Sequence, residues 1–336
     1  MVTIEEVAKK AKVSPSTVSR VLNNGLVKKE TKARVWKVIK ELNYVPSVKA
    51  RGLRSGLSYT VLCVLPHLNT AFSSLVLDGI ESALKPNKYN VILLQRTQDP
   101  DENEDINYAN LLRERKVDGI ILVAPREIES DDMKMLANDG FPSVIIEGYD
   151  PNMRLPCINP DNYKGGYIAV DHLIKQGHRR IAYIQGPSHW YSCRERLRGY
   201  LDALKNNDIP VDSGLILEGD MYYYRSYKLT QGLIKMKDRP TAIFGVNDYV
   251  AVGAMKAIKE AGLKIPDDIA VVGYDDIEMS MFVDPALTTI RQPIFRMGEE
   301  AALRLLRIIN EKIVDDSVTI LPVELIVRGS SVKSKE

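Results

Sequence analysis

The 336-residue sequence predicts a small all-α head of helix-turn-helix type, followed by an α/β body of two lobes with parallel sheets. Three observations carry this. Charge is divided: residues 1–58 hold 13 of the 46 Lys and Arg but only 4 of the 44 acids, a net +9, while residues 59–336 sum to −7. Residues 4–42 show helical periods alone, and from Thr60 onward short apolar runs alternate with helix-period segments, the signature of βα units. At this length two or three domains are expected.

The head can be justified helix by helix. Thr3-Ile4-Glu5-Glu6 reads as a capping box, ahead of a helix whose apolar face is Ile4, Val7, Ala8 and Ala11. Ser14 can cap a second helix with Pro15 at its first position, where a missing N–H is harmless; Val18, Val21 and Leu22 line its inner side. Two short helices across a tight turn form a helix-turn-helix. A third helix, Thr31 to Leu42, turns Val35, Val38, Ile39 and Leu42 inward and leaves Lys32, Arg34, Lys37 and Lys40 for solvent or phosphate. A basic head of this kind is the electrostatic footprint of nucleic-acid binding, because cations that neutralise phosphates release condensed counterions.

The pattern is more specific than a bare motif. Thr3-Ile4 through Val7-Ala8, Val13-Ser14-x-Ser16-Thr17-Val18-Ser19-Arg20-Val21-Leu22-Asn23, Leu42-Asn43-Tyr44-Val45-Pro46 and Ala50-Arg51-x-Leu53 together resemble the LacI/GalR family of bacterial transcription regulators. The resemblance covers nearly the whole chain. It implies a homodimer on double-stranded, pseudo-palindromic operator DNA, with Pro15, Ser16, Thr17 and Arg20 on the recognition helix. Arg20 is the candidate for a bidentate guanine contact. Ser14, Thr17, Ser19 and Asn23 are candidates for phosphate or backbone contacts, Ser14 serving equally as a helix cap, and Lys32 for phosphate. Pro15 offers a base only apolar contact.

Domains are expected at 1–46 (head), 47–58 (hinge) and 59–336 (body), the body divided into lobes of about 59–160 and 161–290 with the final segments near the lobe junction. Residues 47–54 are too short, with Gly52 inside, to be helical alone. In the family this segment folds on operator DNA and inserts a Leu wedge into the minor groove, a role that falls on Leu53 with Arg54 beside it. Strands are expected at 60–66, 90–94, 119–123, 143–147, 180–184, 214–217, 242–246 and 269–273. Helices are expected at 73–85, 102–116, 163–176, 194–206, 248–261 and 295–309, and 318–327 looks antiparallel. The arrangement resembles the periplasmic sugar-binding fold, in which ligands sit at strand C-termini between lobes that close by a hinge.

The resemblance also maps an effector cleft for a sugar or related metabolite. Ser192-x3-Arg196-Leu197-x-Gly199-Tyr200 makes Arg196 the candidate effector contact, and Val246-Asn247-Asp248 and Val272-Gly273-Tyr274-Asp275-Asp276 bring Asn247 and Asp275 to strand ends, where an amide and a carboxylate can bond hydroxyls. Each could instead cap a helix; Asp248 and Asp276 read as structural. Phe72 could stack on a ligand ring or belong to the core. Trp190, Ser192 and Met221 occupy positions that vary with effector, and Tyr222-Tyr223-Tyr224 adds an aromatic rim. The stretches 298–312 and 321–328 resemble catabolite-control members of the family, whose partner is a phosphorylated phosphocarrier protein; Arg304, Arg307 and Arg328 could serve its phosphate.

Other functions find little in the sequence. Cys63, Cys157 and Cys193 are odd in number and far apart, and neither they nor His67, His172, His178 and His189 have metal-ligand spacing, so no disulfide, metal or cofactor is expected. GxSxG, GxxxxGK[ST] and GxGxxG are absent, and no enzyme is expected. No apolar run approaches membrane-spanning length, and the N-terminus lacks a signal peptide's apolar stretch, so a cytoplasmic protein without membrane contact is expected. A sugar-binding protein of transport type, without a DNA role, would explain residues 60–330 alone.

Overall fold

The computed structural model describes residues 2–22, 25–44, 56–96, 108–125, 131–149, 155–312 and 317–332. The chain forms two compact units, Met1–Tyr59 and Thr60–Glu336. The expectations for Asn23, Leu53 and Arg54, with most of the hinge segment, lie outside the described residues.

In the head, α1 (Ile4–Ala11) opens with the capping box: Thr3 Oγ1 accepts from the Glu6 amide at 3.3 Å and Glu6 Oε2 accepts from the Thr3 amide at 2.8 Å. Two of the orphan amides at that helix start are thereby satisfied. Ser14 Oγ accepts from the Thr17 amide at 3.2 Å, so α2 (Pro15–Leu22) is capped by the residue before its proline. The third helix, α3 (Lys29–Glu41), begins two residues before the expected start. Val7, Ala8, Ala11, Val18, Val21, Val35, Val38 and Ile39 close one core, joined by Tyr44 after α3.

The body contains two six-stranded sheets. The first runs β11-β5-β4-β3-β1-β2, from β1 (Thr60–Leu65), β2 (Asn90–Gln95), β3 (Gly119–Val123), β4 (Ser143–Ile146), β5 (Cys157–Pro160) and β11 (Val318–Leu321), all parallel. The second runs β12-β10-β9-β8-β6-β7, from β6 (Ile181–Gln185), β7 (Ile216–Glu218), β8 (Ala242–Gly245), β9 (Ala270–Asp275), β10 (Thr288–Arg291) and β12 (Glu324–Ile326). Only β12 is antiparallel to its neighbour. Val-Leu-Cys-Val-Leu in β1 and Gly-Ile-Ile-Leu-Val in β3 are buried along their length, which is why central strands read as continuous apolar runs and not as alternation.

Helices cover both sheets: α4 (Ala71–Leu84), α5 (Tyr108–Arg113), α6 (Asp131–Asn138), α7 (Asn162–Lys175), α8 (Tyr191–Lys205), α9 (Tyr223–Ile234), α10 (Asp248–Glu260), α11 (Met279–Phe282) and α12 (Ile294–Glu311). Two pairs approach backbone to backbone. A Cβ on Gly79 of α4 would run into the Phe295 carbonyl of α12, and one on Gly298 into the Val76 carbonyl; Gly166 of α7 and Gly199 of α8 meet in the same way.

The C-terminal run departs from expectation. Residues 318–327 are not one antiparallel pair but two strands in different sheets, β11 parallel to β5 and β12 antiparallel to β10. Nor does α12 stay at the junction: it packs on α4, β3, β4 and β5 of the first lobe. The chain therefore passes between lobes three times, after β5, after β10 and after β11. Helices α6, α9 and α11 and strands β5 and β10 lie outside the expected set, and Ser213–Leu215 is a 3-10 turn ahead of β7.

Candidate functional site

Parallel strands all end on one side of a sheet, and the loops leaving those ends build a cleft between the two lobes. It spans about 520 Å³, part of it open to solvent. Pro66 and His67 follow β1, Ala124 follows β3 and Glu147 follows β4; Trp190, Asn247, Asp275 and Gln292 come from the ends of β6, β8, β9 and β10. Thr70 accepts from the Ser73 amide at 3.2 Å, capping α4 and setting Phe72 of its first turn into the wall. Met221, Tyr222 and Tyr249 complete an aromatic and thioether lining.

Arg196 occupies the polar centre. It is 1% exposed, and its three nitrogens each donate to the protein: Nε to Asn162 Oδ1 at 2.8 Å, Nη1 to the Val246 carbonyl at 2.8 Å and Nη2 to Glu147 Oε1 at 3.0 Å. Its guanidinium lies 3.6 Å from the centre of the Tyr274 ring. A charge so buried persists only when paired and hydrogen-bonded. Glu147 belongs to the first lobe and Arg196 to the second, so the pair also ties the lobes together.

Asp275 sits 3.9 Å from Arg196 Nη1 and accepts from Gln292 Nε2 at 2.6 Å. Its φ of 114° is a conformation that side-chain-bearing residues rarely adopt, held here at the end of β9. Burial raises its carboxyl to about 7, against the lowering by Arg196. Asp248 lies deeper, accepting from Thr289 Oγ1 and the Ile277 amide, and burial pushes it well above the carboxylate range. Burial also raises Glu147, against its arginine partner, and lowers His67, which leaves that ring neutral at pH 7.

The cleft thus brings together six of the seven effector residues expected from sequence: Phe72, Trp190, Arg196, Met221, Asn247 and Asp275. Ser192 departs from the expectation: it is buried in the first turn of α8 and does not line the cleft. Asn247 is a helix cap, accepting from the Val250 amide at 2.9 Å, and its amide nitrogen donates to the Met221 carbonyl at 3.1 Å. Asp276 is structural, gripped by Arg291 and Arg328 at 2.6 Å each. Sequence reasoning missed Glu147, Gln292, His67 and Tyr249. A polar residue directly after an apolar strand was the available signal for Glu147; Gln292 was hidden because β10 itself was.

Further contacts bridge the cleft among the described residues. Tyr249 Oη accepts from the Ala71 amide at 3.0 Å, His67 meets the edge of Tyr222 at 5.1 Å between ring centres, and Tyr149 stacks on Tyr191 at 6.0 Å.

On the head, Ser14, Pro15, Ser16 and Arg20 are exposed, while Thr17, Ser19 and Lys32 are half-buried. The Ser14 hydroxyl lies 2.7 Å from that of Ser16 and 2.9 Å from that of Thr17, so these side chains are already ordered about the helix start.

The three arginines considered for a phosphocarrier do not form one patch. Arg304 binds Ser317 and Thr319 and so pins β11 in the first lobe, whereas Arg328 is engaged with Asp276, Ser280 and the Leu287 carbonyl in the second. Arg307 alone is exposed. Among the described residues no group of three His, Cys, Asp or Glu could hold a metal, and no helix is long and apolar enough to cross a membrane.

Residues 3–47 match the family described as bacterial regulatory proteins, lacI family, and residues 170–331 match the periplasmic binding protein-like domain. The HTH-type transcriptional repressor CytR of Escherichia coli (strain K12) is 34% identical over 333 residues, covering 98% of this chain and 96% of the relative. The lac repressor dimer bound to operator and the anti-inducer ONPF superimposes with a TM-score of 0.88 at 31% identity, over 99% of each chain. A complex of the transcriptional regulator CelR with cellobiose gives 0.75 at 30% identity, over 98% of this chain and all of that one.

Proposed function

Since this chain belongs to the LacI family of bacterial regulatory proteins, we propose that it is a sequence-specific, DNA-binding transcriptional repressor of carbohydrate or related metabolism, controlled by a small-molecule effector held in the cleft. The observation that carries this reading is the union, in one chain, of a net +9 helix-turn-helix head and a cleft assembled at strand ends from both lobes. Two heads of a homodimer meet two half-sites of a pseudo-palindromic operator, with Arg20 reading a base edge and Ser14, Pro15, Ser16, Thr17, Ser19, Asn23 and Lys32 positioning the helix. Leu53, with Arg54, is the minor-groove wedge in this reading. The repressor works in the cytoplasm and carries out no catalysis.

In the cleft, Arg196, Asp275 and Asn247 supply polar contacts and Phe72, Trp190 and Met221 supply walls. Because Glu147, Arg196, Tyr249 and Ala71 link the lobes, an effector that changes these contacts changes the lobe angle, the change by which effector and operator are coupled in this reading. Coupling of this kind is reciprocal: operator must alter effector affinity by the same factor. The phosphocarrier partner is not part of this reading, since Arg304 and Arg328 are engaged in different lobes.

The test is selection of bound DNA from a random pool, followed by titration of the selected site against salt and then against a panel of sugars. A log-log salt slope of roughly −5 to −10 is expected for a dimer with several phosphate contacts per head. A slope near zero, or selection of no common site, refutes the reading.

A further inference from the structure

Buried side chains of the second lobe form a chain of hydrogen bonds that takes no part in the cleft. His172 of α7 reaches the C-terminal segment, its Nε2 lying 2.8 Å from Ser331 Oγ. Ser331 Oγ donates to Thr288 Oγ1 of β10 at 2.7 Å, and Thr288 Oγ1 donates to the Arg328 carbonyl at 2.9 Å. Ser330 Oγ accepts from the Thr288 amide at 2.8 Å and donates to the Val271 carbonyl at 2.6 Å, while the Ser330 carbonyl accepts from the Val271 amide at 2.8 Å. Residues 328–331 are thereby fastened to β9 and β10. Thr288, Ser330 and Ser331 are buried, and His172 is 9% exposed.

The direction of the chain fixes the imidazole. Ser331 and Thr288 donate their protons away from His172, so Ser331 offers it a lone pair and Nε2 carries the hydrogen. The other tautomer would reverse the chain and bury an Nδ1–H that has no acceptor among the described residues. A second proton meets the same difficulty, because it goes to Nδ1 and adds both a charge and an unmatched donor in a buried place. Burial lowers the pKa of His172; His178 and Lys175 act in the same direction and Asp171 against it. Asp171 is itself held by Lys175 at 2.6 Å, and His178 by Thr241 at 3.0 Å. The strands packed on α7 bring Asp275, Arg291 and Glu324, all at the cleft end of the sheet, opposite to Thr288. Helix α8 brings Asp202, bonded by Tyr163 at 3.0 Å, and Lys205 at its exposed end.

What this chain holds bears on the lobes. Residues 328–331 follow β12, the strand that receives the third passage from the first lobe. We propose that His172, Ser331 and Thr288 form an acid-sensitive clasp: a neutral imidazole fixes residues 328–331, and β12 before them, on the second lobe, and an imidazolium frees them and loosens the third passage. Once the segment is open, the imidazole titrates near its ordinary 6.5, whereas in the closed clasp it takes its proton only at lower pH. Opening is therefore favoured as pH falls below 6.5, by at most about tenfold per pH unit for one proton.

Hydrogen exchange of the full chain at pH 7.5, 6.5 and 5.5, read by mass spectrometry and corrected for intrinsic rates, tests the clasp. Opening of residues 324–331 is expected to rise about five- to tenfold between pH 7.5 and 5.5, while β3 of the first lobe shows no such rise. His172→Gln keeps an N–H donor for Ser331 but cannot titrate, so its profile should stay flat. A flat profile in the parent, a rise shared equally by β3, or a rise that persists in His172→Gln overturns the proposal. Should the variant not fold, the parent decides alone: the Cε1 proton of His172 in nuclear magnetic resonance must titrate below 6.5, and a midpoint at or above 6.5 overturns the clasp.

Discussion

Arg196→Met removes one charge from the centre of the body while keeping much of the aliphatic volume, and its cost can be worked from the surroundings. Three hydrogen bonds, to Asn162, Val246 and Glu147, disappear, as does the contact with the Tyr274 ring. Two buried carboxyls lose their cation. Asp275 already titrates at about 7 with the arginine present, so Glu147 carries most of the change. Protonating a carboxyl of ordinary pKa 4.5 at pH 7 costs about 3.4 kcal/mol, at 1.36 kcal/mol per unit, which is the ceiling on Glu147's share because burial already raises it in the parent. The ring contact adds about 1–2 kcal/mol, and burial of the Met methyl offsets part of the total.

A net loss of about 3–5 kcal/mol is expected at pH 7, measured by urea unfolding of parent and variant at one protein concentration. The loss should depend on pH in a definite direction. In the variant the folded Glu147 pKa is raised above its value in the parent, which burial already holds above 4.5, so the protonated carboxyl costs both proteins alike at low pH and the deficit grows as pH rises through the parent's folded pKa. Above that point it should widen by at most about 1.4 kcal/mol per pH unit for one proton. A deficit under about 1 kcal/mol at pH 7, or one that stays flat with pH, would show that the triad of Arg196, Glu147 and Asp275 does not hold the lobes as described.

Effector binding should release protons near neutrality, since a donor placed on Asp275 favours its ionised form and pulls its carboxyl below about 7; affinity then weakens as pH falls. Calorimetry in buffers of different ionisation enthalpy reads this directly, and proton uptake would contradict it. Gly79→Ala gains roughly 1 kcal/mol of helix propensity but drives a methyl into the Phe295 carbonyl, for a net loss of about 1–3 kcal/mol in the same unfolding assay; a stabilised variant would refute the close packing of α4 on α12. Arg20→Ala should cost about 1–3 kcal/mol on the preferred operator and relax specificity at one base pair, whereas Lys32→Ala should weaken all sequences alike. Equal losses on every sequence for Arg20→Ala would reduce it to a phosphate contact.

Legibility followed the range of the interactions. The Thr3–Glu6 box and the Ser14 cap join residues three apart, so the sequence shows both partners within one glance. Strands β1, β3 and β4 were visible because burial on both faces leaves an unbroken apolar run. Strands β5 and β10, Cys-Ile-Asn-Pro and Thr-Thr-Ile-Arg, carry polar residues that the fold buries in place, and no period reveals them. Arg196 was recognisable by its neighbours in sequence, but Glu147, its partner, lies 49 residues away on another lobe. The unpaired oxygen of Gln292 is a property of the assembled cleft and has no local sign at all.

The three passages between lobes have a consequence for the order in which the molecule can be made. The first lobe begins at Thr60, yet its covering helix α12 and its edge strand β11 are encoded by residues 294–321, near the end of the chain. As the protein leaves the ribosome, the head has its own core and can close early, whereas β3 and β4 wait for α12, the helix that packs on them, until almost all of the remaining chain has emerged. A nascent chain halted before residue 294 therefore carries a finished head and, later in the chain, an open apolar sheet. Loss of the C-terminal 40 or so residues should expose the first lobe before the second, and chaperone binding during synthesis should concentrate there.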